Sequence, residues 1–187
     1  MTLLDEAIRF AVQAHSGQPR KGTNMPYILH PLEAAAIVAT MTDDPEIIAA
    51  AVLHDIVEDA HVSVDEIAAR FCERVAKLVN SETENKREDQ PASDTWLIRK
   101  QETIQRLSKE KDLAVKMVTL GDKLSNIRAM YRDQLEVGEK LWERFNQKDP
   151  VMHAWYYRAI AMATPELEHF PAWQEYSLLV EKVFSQY

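Results

Sequence analysis

Apolar side chains along this chain recur three and four residues apart rather than every second residue, the spacing that lines one face of a helix. Leu4, Ile8 and Ala11 open the first such face, which stops near His15-Ser16-Gly17. The stretch that follows, GQPRKGTNMPYILHP, carries Gly17, Pro19, Gly22, Pro26 and Pro31 and forbids continuous helix. Pro31 suits the first position of the next helix, LEAAAIVATM, which TDDP ends. Asp44 caps a third helix, with Pro45 at its first position, running through EIIAAAVLHDIVED. Ser63 and Glu66 stand as a capping box and open a helix that runs through FCERVAKLVN. Asp94 is placed to cap a helix through TWLIRKQETIQRLSK, and Asp112 another through LAVKMVTLGDKLSNIRAM. Asp149-Pro150 opens VMHAWYYRAIAMA, and Pro171 opens AWQEYSLLVEKVF. Between the helices, the polar, mixed-sign run from Ser81 to Asp94 reads as a mobile loop long enough to serve as a lid.

Composition agrees with this pattern and narrows the function classes. Only four of 187 residues are Gly, too few for a protein built on many tight β-turns, so the fold class is all-α. The length suits one domain over residues 1–187, and no repeat or linker divides it. Acids outnumber bases 30 to 22, a net charge of -8, which argues against a nucleic-acid groove and limits any phosphate ligand to a small one. The single Cys72 cannot form an internal disulfide. The N-terminal segment lacks a signal peptide's apolar run, and no stretch approaches the roughly 20 apolar residues that span a bilayer. The expectation is a cytoplasmic protein without nucleic-acid or membrane partners.

Candidate chemistry gathers at four positions on three segments: His30, His54, Asp55 and Asp122. Two imidazoles with two carboxylates suit a divalent transition metal such as Mn, Fe or Zn better than Ca or Mg, which prefer all-oxygen cages. His54-Asp55 lies among Ile47, Ile48, Val52, Leu53, Ile56 and Val57. A carboxylate buried there without a partner costs several kcal/mol or is driven to protonate, and a cation resolves that conflict. A hydrogen-bonded core His beside a surface Asp is the plainer alternative. Glu58 and Asp59 follow His54 and Asp55 by four residues each, stacking three acids on one side of a helix, where they repel unless a cation or shared proton intervenes. Asp122 and Asn126 likewise stand one turn apart. Gly121, inside that helix, points to the close approach of another backbone or a ligand, or to ordinary helix packing.

These residues resemble a known family. His30, His54-Asp55-x-x-Glu58-Asp59 and Gly121-Asp122-Lys123-Leu124-x-Asn126-x-Arg128, with Pro26-Tyr27-Ile28-Leu29-His30-Pro31 and an upstream Arg20-Lys21, are similar to the HD-superfamily hydrolase domain of the RelA/SpoT-type alarmone enzymes. The likeness runs from about Ala7 to Arg132 and leans toward the free-standing small alarmone hydrolases. It implies a compact HD-type helical bundle of about eight to ten helices that uses Mn to remove the 3′-pyrophosphate from guanosine tetra- and pentaphosphate. By resemblance His30, His54, Asp55 and Asp122 are metal ligands, while Glu58 and Asp59 handle the attacking water. Arg20 and Lys21 meet the base and phosphates, and Asn126 and Tyr156 also contact the substrate. Leu120-Gly121-Asp122 departs from the family's usual Leu-Ala-Asp. Rival readings are an HD phosphohydrolase for a nucleoside monophosphate or NADPH, and a non-catalytic nucleotide-binding module.

Overall fold

Helices start mainly where a short polar side chain can take up first-turn N–H groups that have no intrahelical acceptor. The computed structural model describes residues 1–60, 62–87 and 89–187, so Glu88, within the predicted Ser81–Asp94 loop, lies outside the described residues. Among the described residues the regular structure is helical apart from one isolated bridge between Pro19 and Pro26. In chain order the α-helices are α1 (Leu3–Ala14), α2 (Leu29–Val38), α3 (Pro45–Leu53), α4 (Ile56–Ala60) and α5 (Val64–Arg70). They continue as α6 (Glu73–Glu82), α7 (Ala92–Lys109), α8 (Leu113–Val137), α9 (Pro150–Ala163) and α10 (Pro171–Val183). Short 3-10 turns cover Gly138–Arg144 and Pro165–Leu167. No described helix is long and apolar enough to cross a membrane.

The predicted caps at Asp44, Ser63, Asp112 and Asp149 each accept from a backbone N–H two or three residues on. Among the boundaries that differ from the sequence reading, four bear on the fold. α2 begins at Leu29, so Pro31 sits inside its first turn rather than at its first position. α7 begins at Ala92 behind Pro91, which places Asp94 in the first turn, where its charge complements the helix dipole. The helix expected to continue from Ser63 breaks at Phe71-Cys72: extended backbone at Cys72 ends α5 and caps α6. The Phe71 ring then packs on Phe10 of α1 at 5.8 Å.

The fourth difference lies at the candidate chemistry. The helix expected to run through Asp59 stops at Leu53, turns at His54-Asp55 and resumes as α4. The cause is local. The Ala51 carbonyl, which a continuous helix would offer to the Asp55 amide, lies 2.8 Å from Nδ1 of His54.

Contacts group the chain into two compact units. The first comprises residues 1–83 and 112–125, the second 84–111 and 126–187. α8 supplies both, its N-terminal half to the first and its C-terminal half to the second. In the first unit α3 is central, packing on α1, α2 and α6. Ala49 through Leu53 are all fully buried, as expected of a helix that is apolar around its whole circumference. Val75, Leu78 and Val79 of α6 and Ala7, Phe10 and Ala11 of α1 complete that core. The second unit has an aromatic core in which Trp142 stacks on His153 and Phe184, and Tyr157 stacks on Tyr176.

Close packing of α2 on α8 explains Gly121. A Cβ built there would lie 2.7 Å from Cγ2 of Val38 and 2.9 Å from the Ala34 carbonyl oxygen. Of the readings open in the sequence, helix packing and the close approach of another backbone are both observed. Glycine costs a helix about 0.5–1 kcal/mol relative to alanine. Overpacking against a backbone carbonyl costs about 1–3 kcal/mol, so here the glycine is the more stable choice. Gly121→Ala should therefore lower the melting temperature by several degrees. Adding Val38→Ala should recover only part of the loss, because the Ala34 carbonyl remains; full recovery would show that side-chain crowding alone was responsible.

Candidate metal centre

Three segments of the first unit bring the four proposed ligands together. α2 contributes His30 from its first turn, the α3–α4 turn contributes His54 and Asp55, and α8 contributes Asp122. His54 is 1 %, His30 5 % and Asp122 6 % exposed. Nε2 of His30 lies 3.3 Å from Nε2 of His54, 3.2 Å from Oδ1 of Asp122 and 3.4 Å from Oδ2 of Asp55. Nε2 of His54 lies 3.1 Å from Oδ2 of Asp55 and 3.7 Å from Oδ1 of Asp122. One ligand atom each from His30, His54 and Asp122 falls within a 4.8 Å span, the dimension of a cation's coordination shell.

The hydrogen bonds outside this cluster decide what faces inward. Nδ1 of His54 points at the Ala51 carbonyl, which only accepts, so Nδ1 carries a proton. In the neutral ring Nε2 is then a lone pair directed at the Asp55 and Asp122 oxygens. Carboxylate oxygens and an imidazole lone pair crowded into a buried space repel one another, and a cation or a proton must lie among them. The acid–base balance agrees. Burial pushes the His54 pKa down, but the Asp55 charge and hydrogen bonds to Asp122 and Asp55 outweigh it and hold the ring well above its ordinary value. Burial pushes Asp55 up, yet His54 and His30 bring it well below the carboxylate range. Burial likewise opposes Asp122, which the Lys123 charge and both histidines pull well below that range. Lys123 pairs with Oδ2 of Asp122, leaving Oδ1 turned toward the histidines. The mixed nitrogen and oxygen donors fit a divalent transition metal.

Tyr27 extends the cluster to Asp59. Its hydroxyl lies 2.6 Å from Oδ2 of Asp55 and 2.9 Å from Oδ2 of Asp59. Burial and the two charges push the phenol's pKa far up, so it keeps its proton. The backbone also joins the acids, since the Asp59 N–H donates to the Asp55 carbonyl at 2.9 Å. The phenol thus bridges two of the three acids on this stretch, Asp55 and Asp59. Tyr27 stood within the Pro26–Pro31 pattern without an assigned role; its place three residues before His30 was the available signal.

The α1–α2 loop is fastened to α4. Gln18 donates to the Asp59 carbonyl at 3.0 Å and also meets Nδ1 of His15 at 2.8 Å. Within that loop Arg20 and Lys21, with Pro19 and Gly22 to Asn24, line a concavity of about 310 Å³. Glu58 lies beside Asp59 on α4, half-buried. Asn126 lies one turn beyond Asp122 on α8 and is grouped with the second unit. Tyr156 also belongs to that unit; it is 3 % exposed, and Lys100 sits 4.9 Å above its ring.

Comparisons with known proteins show which family the chain resembles. Residues 7–148 match the HD domain family. A guanosine-3′,5′-bis(diphosphate) 3′-pyrophosphohydrolase from Aquifex aeolicus is 36 % identical over 142 residues, 74 % of this chain and 19 % of that protein. A GTP pyrophosphokinase rsh from Brucella ovis is 36 % identical over 134 residues, 68 % of this chain and 17 % of that protein. The chain thus spans about a fifth of the length of these relatives. A crystal structure from Listeria monocytogenes EGD-e superposes with a TM-score of 0.72 at 30 % identity, covering 84 % of this chain and 99 % of that one. A metazoan SpoT orthologue, described as hydrolysing ppGpp, superposes with a TM-score of 0.70 at 23 % identity over 100 % of this chain and 96 % of that one, a likeness of fold.

Asp55 and Asp122 raise the His54 pKa, which favours a proton where a cation would sit, so the two compete for the site. Titration with Mn²⁺ at pH 7 should release about one proton per ion. Calorimetry in buffers of different ionisation enthalpy would show this as a buffer-dependent heat. Affinity should rise with pH until the folded-state pKa of His54 is passed and then level off. Heat that is the same in every buffer would contradict the assignment.

Proposed function

This chain belongs to the HD domain family, and on that premise we propose that it is a metal-dependent hydrolase removing the 3′-pyrophosphate from guanosine tetra- or pentaphosphate. The observation that carries the proposal is the convergence of His30, His54, Asp55 and Asp122 with Asp59 tethered alongside through Tyr27. The names of the curated relatives support this substrate. We take Mn²⁺ as the resident ion; when bound it supplies Lewis acidity and lowers the pKa of a coordinated water.

The chain's own residues do the rest. Glu58 and Asp59 orient the attacking water and accept its proton, with Tyr27 fixing the direction of the Asp59 carboxylate. The water oxygen bonds to the phosphorus carried on O3′, the P–O3′ bond breaks, and O3′ leaves as the protonated hydroxyl. The products are pyrophosphate and the 5′-di- or triphosphate. Lys21 offsets phosphate charge, and the planar Arg20 guanidinium is suited to stacking on the purine. Asn126 and Tyr156, both in the second unit, enter as substrate contacts by resemblance alone.

Incubation with Mn²⁺ and guanosine tetraphosphate should yield GDP and pyrophosphate. Orthophosphate from NADPH or a nucleoside monophosphate, with the tetraphosphate untouched, would keep the chemistry and replace the substrate. Binding without turnover of any of them would favour a nucleotide-binding module. Glu58→Gln should preserve Mn²⁺ affinity and lower kcat by roughly 10²–10⁴-fold. A parallel fall in affinity and rate would make Glu58 structural.

A further inference from the structure

A chain of hydrogen bonds behind His30, buried at Ser125 and half-buried at Glu33, belongs to none of the roles above. Nδ1 of His30 lies 2.8 Å from Oγ of Ser125, and that hydroxyl donates to Oε2 of Glu33 at 2.8 Å. Ser125 is 1 % exposed. The donors can be counted. A serine hydroxyl has one proton, and a carboxylate only accepts, so the proton of Ser125 is committed to Glu33. What Ser125 then offers His30 is a lone pair, which requires Nδ1 to be the N–H. In the neutral ring Nε2 is left bare, directed at Oδ1 of Asp122 and Nε2 of His54.

We propose that Glu33 is a positioning residue for the metal centre, acting through Ser125 to hold His30 in the tautomer that can bind a cation. Without a carboxylate at 33, the Ser125 hydroxyl is free to turn and donate to Nδ1. That permits the other tautomer, whose Nε2–H closes the ligand position. The backbone carbonyl of Ala51 performs this task for His54, and a side chain performs it for His30. The spacing is economical. Glu33 follows His30 by three residues on α2, and Ser125 follows Asp122 by three on α8, so each helix presents one ligand and one member of the relay behind His30. Groups of this kind behind metal-binding histidines set ring orientation and ligand basicity.

The proposal rests on the reading of His30 as a metal ligand, and two measurements separate the two. First, long-range ¹H–¹⁵N spectra of the metal-free protein report which His30 nitrogen is protonated, with no metal involved. Nδ1–H is expected in the wild type, and partial transfer of the proton to Nε2 is expected in Glu33→Leu. A wild-type Nδ1 without a proton, or a Glu33→Leu spectrum identical to wild type, overturns the relay. Second, Mn²⁺ affinity by calorimetry and the Co²⁺ visible spectrum are compared across two variants. Glu33→Leu keeps bulk and helix propensity but has no acceptor, and should bind roughly 10–100-fold more weakly. Glu33→Gln retains a carbonyl acceptor for the Ser125 proton and should stay within a few-fold of wild type. Equal affinity in Leu and wild type, or equal losses in Leu and Gln tracking a fall in melting temperature, overturns the proposal. Failure of the wild type itself to bind Mn²⁺ or Co²⁺, with Nδ1–H in place, would overturn the metal-centre reading and leave the relay standing.

Discussion

Four electron-rich atoms meet where water scarcely reaches, and the rest of the first unit is organised around making that tolerable. A buried carboxylate without compensation costs several kcal/mol, and here two carboxylates face two imidazole nitrogens at 3.1–3.7 Å. Each neighbour supplies one element of the solution. Lys123 takes the outer oxygen of Asp122, and Tyr27 bonds the Asp55 oxygen that faces the histidines. The Ala51 carbonyl and Ser125 take the far nitrogens of the two histidines. What these groups leave unneutralised lies at the centre, where only a small positive charge fits.

The surrounding helices are shaped by the need to bring three segments within a cation's reach. α3 is lined by alanines that let α1, α2 and α6 approach closely, and Gly121 does the same where α8 meets α2. Side-chain volume is minimal where backbones must come near and larger in the layer beyond, with Leu78 and Val79 on α6. The close contact and the ligand are adjacent in sequence: Gly121 sets the distance of α8 from α2 and Asp122 spends it.

Much of this was legible in the chain because local rules and tertiary demands agree. Caps at Asp44, Ser63, Asp112 and Asp149 are short-range chemistry and fall where the pattern places them. His54 and Asp55 stood out because a His-Asp pair amid Ile, Val and Leu is costly without a purpose, and the mixed donor set and the family resemblance joined His30 and Asp122 to them. The helix break at His54 was hidden, since the sequence there is strongly helical and the interruption comes from a ring nitrogen seeking a carbonyl. The break at Cys72 was hidden too, because Phe71 turns away to meet a ring on α1, more than sixty residues earlier. Tyr27, Glu33 and Ser125 escaped for the same reason: their roles are hydrogen bonds across 28 to 95 positions, which periodicity does not record. The aromatic run at Trp155 to Tyr157 is mixed, with Tyr156 and Tyr157 in the core of the second unit and Trp155 partly exposed.

The division of α8 between two units has a consequence for how the protein comes to be. Residues 1–83 contain three of the four proposed ligands, but the fourth arrives on a segment that returns only after residues 84–111 have gone to the other unit. Closing that 28-residue excursion costs chain entropy of about 3 kcal/mol, growing only logarithmically with length. During synthesis α1 to α6 therefore precede the part of α8 that carries Asp122 by the whole of that excursion. His30, His54 and Asp55 are by then already present, and Asp122 completes the cluster. The second of the two facing carboxylates is thereby synthesised after α1, α3 and α6, the helices of the apolar core.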